Sequence, residues 1–242
     1  MTTSARHIYD QPALAPLLTI YRTVAVNLLT RGESAGGRVS LPTTEALSYY
    51  IAERAGEVQV AIDFLAFAGD RMKETLSGTG EFRERDYQYH YENVLFRAVG
   101  TVDRLFLLAG TSAFMSRKEL SSTRANENVK RCLKKNYLTG ALAVLEEAES
   151  LVKPLKKGRN KVAHVAGYTD TLLIAASIDR TPEVDAIYRR ELENYHRQGI
   201  ETVTTLHAEL AKLAEKLVVE LALVFEFIVE EHNTPSRKRK KS

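Results

Sequence analysis

The residues best suited to chemistry in this chain lie in one short stretch, Leu155-Lys156-Lys157-Gly158-Arg159-Asn160-Lys161-Val162-Ala163-His164. On a helix, Asn160 and His164 are four apart and lie one above the other on the same face. Arg159 projects about 100° round from Asn160, and its long stem can swing the guanidinium across to that face. The set combines an imidazole that exchanges protons near neutral pH, a hydrogen-bonding amide and a planar cation shaped for phosphate oxygens. Lys153, Lys156, Lys157 and Lys161 add positive charge around it. This chemistry suits the phosphate of a polyanion, with Lys156, Lys157 and Lys161 as positioning contacts rather than readers of sequence.

Arg159-Asn160-Lys161-Val162-Ala163-His164 resembles the signature of the HEPN superfamily (higher eukaryote and prokaryote nucleotide-binding domains), an arginine followed by Asn, Asp or His and, shortly after, a histidine. The resemblance implies an all-α helical bundle of the up-and-down kind that forms a homodimer whose paired motifs line a cleft. It further implies metal-independent cleavage of RNA, with His164 as general base or acid at the ribose 2′-OH. Arg159 would stabilise charge growing on the phosphate, and Asn160 would orient the site. Products would be a 2′,3′-cyclic phosphate and a 5′-OH. No cofactor and no metal are implied. The partners would be RNA, a second copy of the chain and, for a toxin or defence effector, a cognate inhibitor protein. Other members of the superfamily have lost catalysis and bind nucleotide, RNA or a partner protein. That silent module is the alternative reading, and a helical interaction scaffold with a coincidental motif is a third. For His164 alone, the plain structural reading is a histidine paired on a packed helix face.

Helices must position these residues, and the pattern predicts little else. Residues 13–30 carry Leu14, Leu17, Leu18, Tyr21, Val24 and Leu28 at helical spacing, after a loose leading segment over residues 1–12. Arg31 to Arg38 is a glycine- and serine-rich connector. Thr43 or Thr44 suits the N-cap of a helix through about Leu76, closed by Ser77-Gly-Thr-Gly80. Tyr87 to Met115 and about residues 122–136 are the next helices, and Thr139 can cap the helix that runs toward the motif. Pro154 is expected to kink or end that helix, so the motif would open a fresh helix whose N–H groups favour an anion. Residues 171–179 are ambiguous between buried helix and strand. Pro182 restarts a helix to about Tyr195, Gly199 marks a break, and a last helix spans about Glu201 to Glu231. The domain reading is an accessory helix and connector over 1–40, a bundle over 41–232 and a basic tail over 233–242.

Composition agrees with a soluble globular protein, at 44% hydrophobic and 27% charged. The net charge is +3, but Arg237 to Lys241 supply five positive charges and leave the remainder at −2, so only local clustering argues for a nucleic-acid partner. A single cysteine, Cys132, excludes an intrachain disulfide and fits a reducing cytosol. No signal peptide is apparent, and Leu217 to Val229 is interrupted by Glu220 and Glu226, which argues against a membrane span. The expected location is cytoplasmic.

A second constellation surrounds Tyr87-Gln88-Tyr89-His90-Tyr91-Glu92-Asn93, with Arg97 and Asp103 beyond. HEPN-like bundles place supporting polar residues on the long helix before the signature, which would make Glu92, Asn93 and Arg97 supporting groups, and the tyrosines could stack bases. A helix start with partly exposed tyrosines is the plainer reading. Glu193-Asn194-Tyr195-His196 matches Glu-x-x-His once, whereas di-iron bundles need it twice, so it reads as a stray surface match. Cys132, among Lys130, Arg131, Lys134 and Lys135, could have a more reactive thiolate, but with no clear partner base it reads as a buried or idle cysteine.

Overall fold

The apolar spacing is answered by helices throughout. The computed structural model describes residues 7–35, 41–77, 83–164 and 181–234, with the side chains of 31–35, 77, 83–84 and 164 outside the described set. Two 3-10 turns, Ile8–Asp10 and Pro12–Leu14, lead into α1 (Ala15–Ala35), α2 (Thr43–Ser77), α3 (Arg83–Ser112), the single turn α4 (Arg117–Leu120), α5 (Ala125–Lys135), α6 (Thr139–His164), α7 (Pro182–Glu220) and α8 (Ala222–Asn233). Among the described residues there is no strand, and the chain is an all-α helical bundle. Residues 171–179, Gly78 and Gly80, expected to close α2, and the basic tail from 235 onward lie outside the described residues.

The chain divides into two compact units. Unit 1 takes Met1–Gln59, Arg104–Leu145 and Leu213–Ser242, and unit 2 takes Val60–Asp103 and Glu146–Lys212.

In unit 1 the leading segment is not loose from residue 7 on. Ile8 is buried and its N–H donates to Gln59 Oε1 at 2.7 Å, while the Tyr9 hydroxyl donates to the Ala52 carbonyl at 2.8 Å. Gly56 on α2 makes room for that hydroxyl, because a Cβ there would collide with Tyr9 Oη. Helix α1 buries Leu17, Leu18, Ile20 and Val24 and packs along α8. Pro12–Thr30 is long and apolar enough to cross a membrane by length and composition alone, with a mean hydropathy of 1.4. It therefore displaces Leu217 to Val229 as the stretch most suggestive of a span. At the end of α3, Gly110 lets two other elements close in. A Cβ there would lie 2.5 Å from Leu120 Cδ2 and 2.8 Å from Val129 Cγ2.

In unit 2, α2 buries Ile62, Leu65 and Met72, α3 buries Tyr87, Val94, Leu95, Ala98, Val99 and Val102, and α7 buries Tyr188, Leu192, Val203, Leu206 and Leu210. Two expected helix ends are not found here. Gly199 does not break α7, which runs from Pro182 to Glu220. Its core stripe, Tyr188, Leu192, His196, Gly199, Val203, Leu206 and Leu210, keeps the three-and-four spacing straight through the glycine. Gly199 is there because the Tyr87 hydroxyl occupies the space a Cβ would need. Nor does Pro154 end α6, which is one element from Thr139 to His164. Pro154 is solvent-exposed, so the Ser150 carbonyl that loses its intrahelical donor lies near water rather than in the core.

Candidate functional site

Helix α6 carries the motif more than five turns from its N-terminus. The expected anion-binding helix start is therefore absent, and any grip on phosphate must come from side chains. From Lys153 to Lys161 the helix holds four lysines and one arginine with no acid.

Helical spacing sorts these residues between two faces. Ala148, Val152, Leu155, Arg159 and Val162 follow one another at intervals of three and four, and all are buried or partly buried. Arg159 thus continues the core-facing stripe. Its Nε is buried and finds no hydrogen-bond partner among the described residues. A buried donor left unmet costs on the order of 1–3 kcal/mol, so this atom calls for an acceptor beyond the described residues. Asn160, one position on, is exposed, as are Lys157 and Lys161. His164 is the last residue of α6, four after Asn160, and its side chain lies outside the described set. Lys156 is already engaged, its ammonium 3.0 Å from Glu149 Oε1.

Helix α3 lies against the motif turn at Gly158. A Cβ at 158 would sit 3.3 Å from Leu95 Cδ1, so the glycine lets the two helices approach closely. The polar residues flanking Leu95 are directed elsewhere. Asn93 Nδ2 donates to its own helix at the Tyr89 carbonyl, and the Arg97 guanidinium lies 4.7 Å from the centre of the Phe64 ring on α2. Glu92 Oε1 accepts from Gln88 Nε2 at 3.4 Å.

The tyrosine cluster divides in the same way. Tyr87 is fully buried, which corrects the expectation of partly exposed tyrosines at that position, and its ring stacks on His196 at 4.1 Å between centroids. Tyr91 stacks on Tyr87 at 6.0 Å, and Tyr89 remains 63% exposed. His196 is thus a core histidine, not part of a surface match. Glu193 of the same Glu-x-x-His run points outward and pairs with Arg197 at 2.7 Å, so the two would-be ligands diverge. No group of histidine, cysteine and carboxylate side chains suited to a metal occurs among the described residues. Cys132 is partly buried, and desolvation pushes its thiol pKa up, so the lysines around it do not make it a thiolate.

Compared with known proteins, the chain matches no family model, no curated protein and no solved structure.

Proposed function

We propose that this protein is a metal-independent endoribonuclease of the HEPN type, a toxin or defence effector that cuts RNA at a composite site between two copies of the chain. The observation that carries the reading is Arg159, an arginine on the core-facing stripe of α6 whose buried Nε has no partner among the described residues, directly before Asn160 and five residues before His164. Arginine held in this way has little reorganisation left to undergo when charge develops on a phosphate beside it. In the reaction, His164 takes the proton of a ribose 2′-OH while the 2′-oxygen attacks the adjacent phosphorus. The P–O5′ bond breaks, the departing 5′-oxygen is protonated, and Arg159 stabilises the charge on the non-bridging oxygens. Lys157 and Lys161, both exposed, position the RNA backbone, and Lys156 joins them by exchanging Glu149 for a phosphate.

The Lys156–Glu149 ion pair favours a second reading, a catalytically silent domain of the same type that binds nucleotide, RNA or a partner protein. Incubation of purified protein with a mixed RNA pool in EDTA, beside Arg159→Ala and His164→Ala, separates the two. Cleavage that persists in EDTA, leaves cyclic phosphate ends and disappears in both variants is the expected result. A folded dimer that binds the pool without cutting it moves the protein to the silent class.

A further inference from the structure

Unit 1 contains a cavity of about 680 Å³ that none of the motif residues lines. Its walls come from three elements. Leu47, Tyr50 and Arg54 lie at intervals of three and four on one face of α2, Leu107 and Thr111 lie one turn apart near the end of α3, and Arg117 and Leu120 come from α4. Leu47, Leu107, Met115 and Leu120 make an aliphatic floor, while the polar rim holds two guanidiniums and no carboxylate.

The two arginines are not equivalent. Arg54 Nη1 sits 2.7 and 2.6 Å from the two oxygens of Glu57, so its charge is compensated. Arg117 lies over the Tyr50 ring, 5.5 Å from its centre, and makes no ion pair among the described residues. The cavity therefore offers one uncompensated positive charge beside an aromatic wall.

Local structure holds Arg117 in that place. Helix α3 ends in a Schellman turn, with the Met115 N–H donating to the Gly110 carbonyl and Phe114 in the left-handed region. Ser116 then starts α4 with a capping box, its hydroxyl oxygen accepting from the Glu119 N–H and the Glu119 carboxylate accepting from the Ser116 N–H. Gly110 completes the arrangement by admitting Leu120 against α3. The backbone that carries Arg117 is thus fixed, and its guanidinium rests on the Tyr50 ring, which favours binding without large rearrangement.

We propose that this cavity binds a small organic monocarboxylate with an aliphatic body. Its carboxylate pairs with the Arg117 guanidinium in the two-pronged geometry such groups favour, and its tail lies on Leu47, Leu107, Met115 and Leu120. A single free guanidinium selects a singly charged ligand, and the floor selects its apolar tail. The site stands independently of the nuclease reading.

The test is isothermal titration of the full chain with octanoate and with 1-octanol, which has the same tail without the charge. Saturable one-to-one binding of octanoate is expected, with octanol at least tenfold weaker. Arg117→Gln should weaken octanoate at least tenfold, while Arg124→Gln, an exposed arginine outside the cavity, leaves it unchanged. Circular dichroism of both variants checks that they are folded. The proposal is overturned by absence of saturable octanoate binding, by equal affinity for octanoate and octanol, or by undiminished binding in folded Arg117→Gln.

Discussion

The hydroxyl of Tyr87 on α3 fills the space where a side chain at Gly199 on α7 would begin. The ring that carries it is fully buried and stacked on His196, so it has nowhere to retreat. In a helix interior, Ala is better than Gly by about 1 kcal/mol. Overpacking of a core costs about 1–3 kcal/mol, and here the obstacle is rigid, so the clash outweighs the propensity. Gly199→Ala should destabilise the protein by about 1–2 kcal/mol in urea denaturation. Adding Tyr87→Phe, which removes the obstructing oxygen, should recover most of that loss, and additive effects of the two changes would contradict the packing account.

Arg159 separates function from stability. If its buried Nε is kept for phosphate chemistry, Arg159→Met should hold or raise stability by about 1 kcal/mol, since an apolar stem continues the α6 stripe without an unmet donor. RNA cleavage should be lost in the same protein. A drop of more than about 2 kcal/mol would instead mark Arg159 as a structural residue.

Tyr137 adopts φ 59° just after α5, in the left-handed region where L side chains are strained, and it is 88% exposed. Its turn is a second Schellman closure, with the Leu138 N–H donating to the Leu133 carbonyl. Glycine relieves about 1–2 kcal/mol of strain there and costs about 0.5–1 kcal/mol through a freer unfolded chain. Tyr137→Gly should therefore stabilise by about 0.5–1 kcal/mol. Phe114, at φ 61°, carries the same strain but packs edge-on against Phe227, so Phe114→Gly should gain less or lose.

Stability should fall as the pH drops below about 6.5. Burial, the largest influence, holds the pKa of both His90 and His207 below that ordinary value. Asp86 and Glu74 oppose the shift at His90 while Arg71 reinforces it, and Asp63 and Asp70 oppose it at His207 while Lys73 reinforces it. In the window from 6.5 down to the depressed native values, the unfolded chain binds more protons than the folded one, so acidification favours unfolding. Urea midpoints measured from pH 8 to 5 should decline over this window, and the double variant His90→Gln with His207→Gln should flatten the decline. An unchanged slope in that variant would assign the pH dependence to other groups.

The sequence by itself determined that this chain is helical, and it placed several helix starts well. Pro182 opens its helix as expected, because its fixed φ suits a first turn, while Thr43 and Thr139, expected as caps, are themselves the first residues of α2 and α6. It also carried the motif, since Arg159, Asn160 and His164 are legible as types at a spacing. Only the tertiary structure decided what the punctuating residues mean. Gly199 reads locally as a break, yet its reason is the Tyr87 hydroxyl, contributed by a distant part of the chain. Pro154 reads as a kink or an end, and α6 continues through it with the ring in solvent. His196 reads as a surface residue until the ring of Tyr87 is found stacked upon it. The inward turn of Arg159 was available from the stripe Ala148, Val152, Leu155 and Val162, but a cationic residue hides such a pattern from a hydrophobicity count. Arg117 and Tyr50 gave no sequence signal, because neither neighbour in the chain hints at the other and their contact exists only once Gly110 has let α4 close onto α3. Local interactions encode where helices begin, and contacts between residues remote in sequence decide which helices continue and what their faces meet.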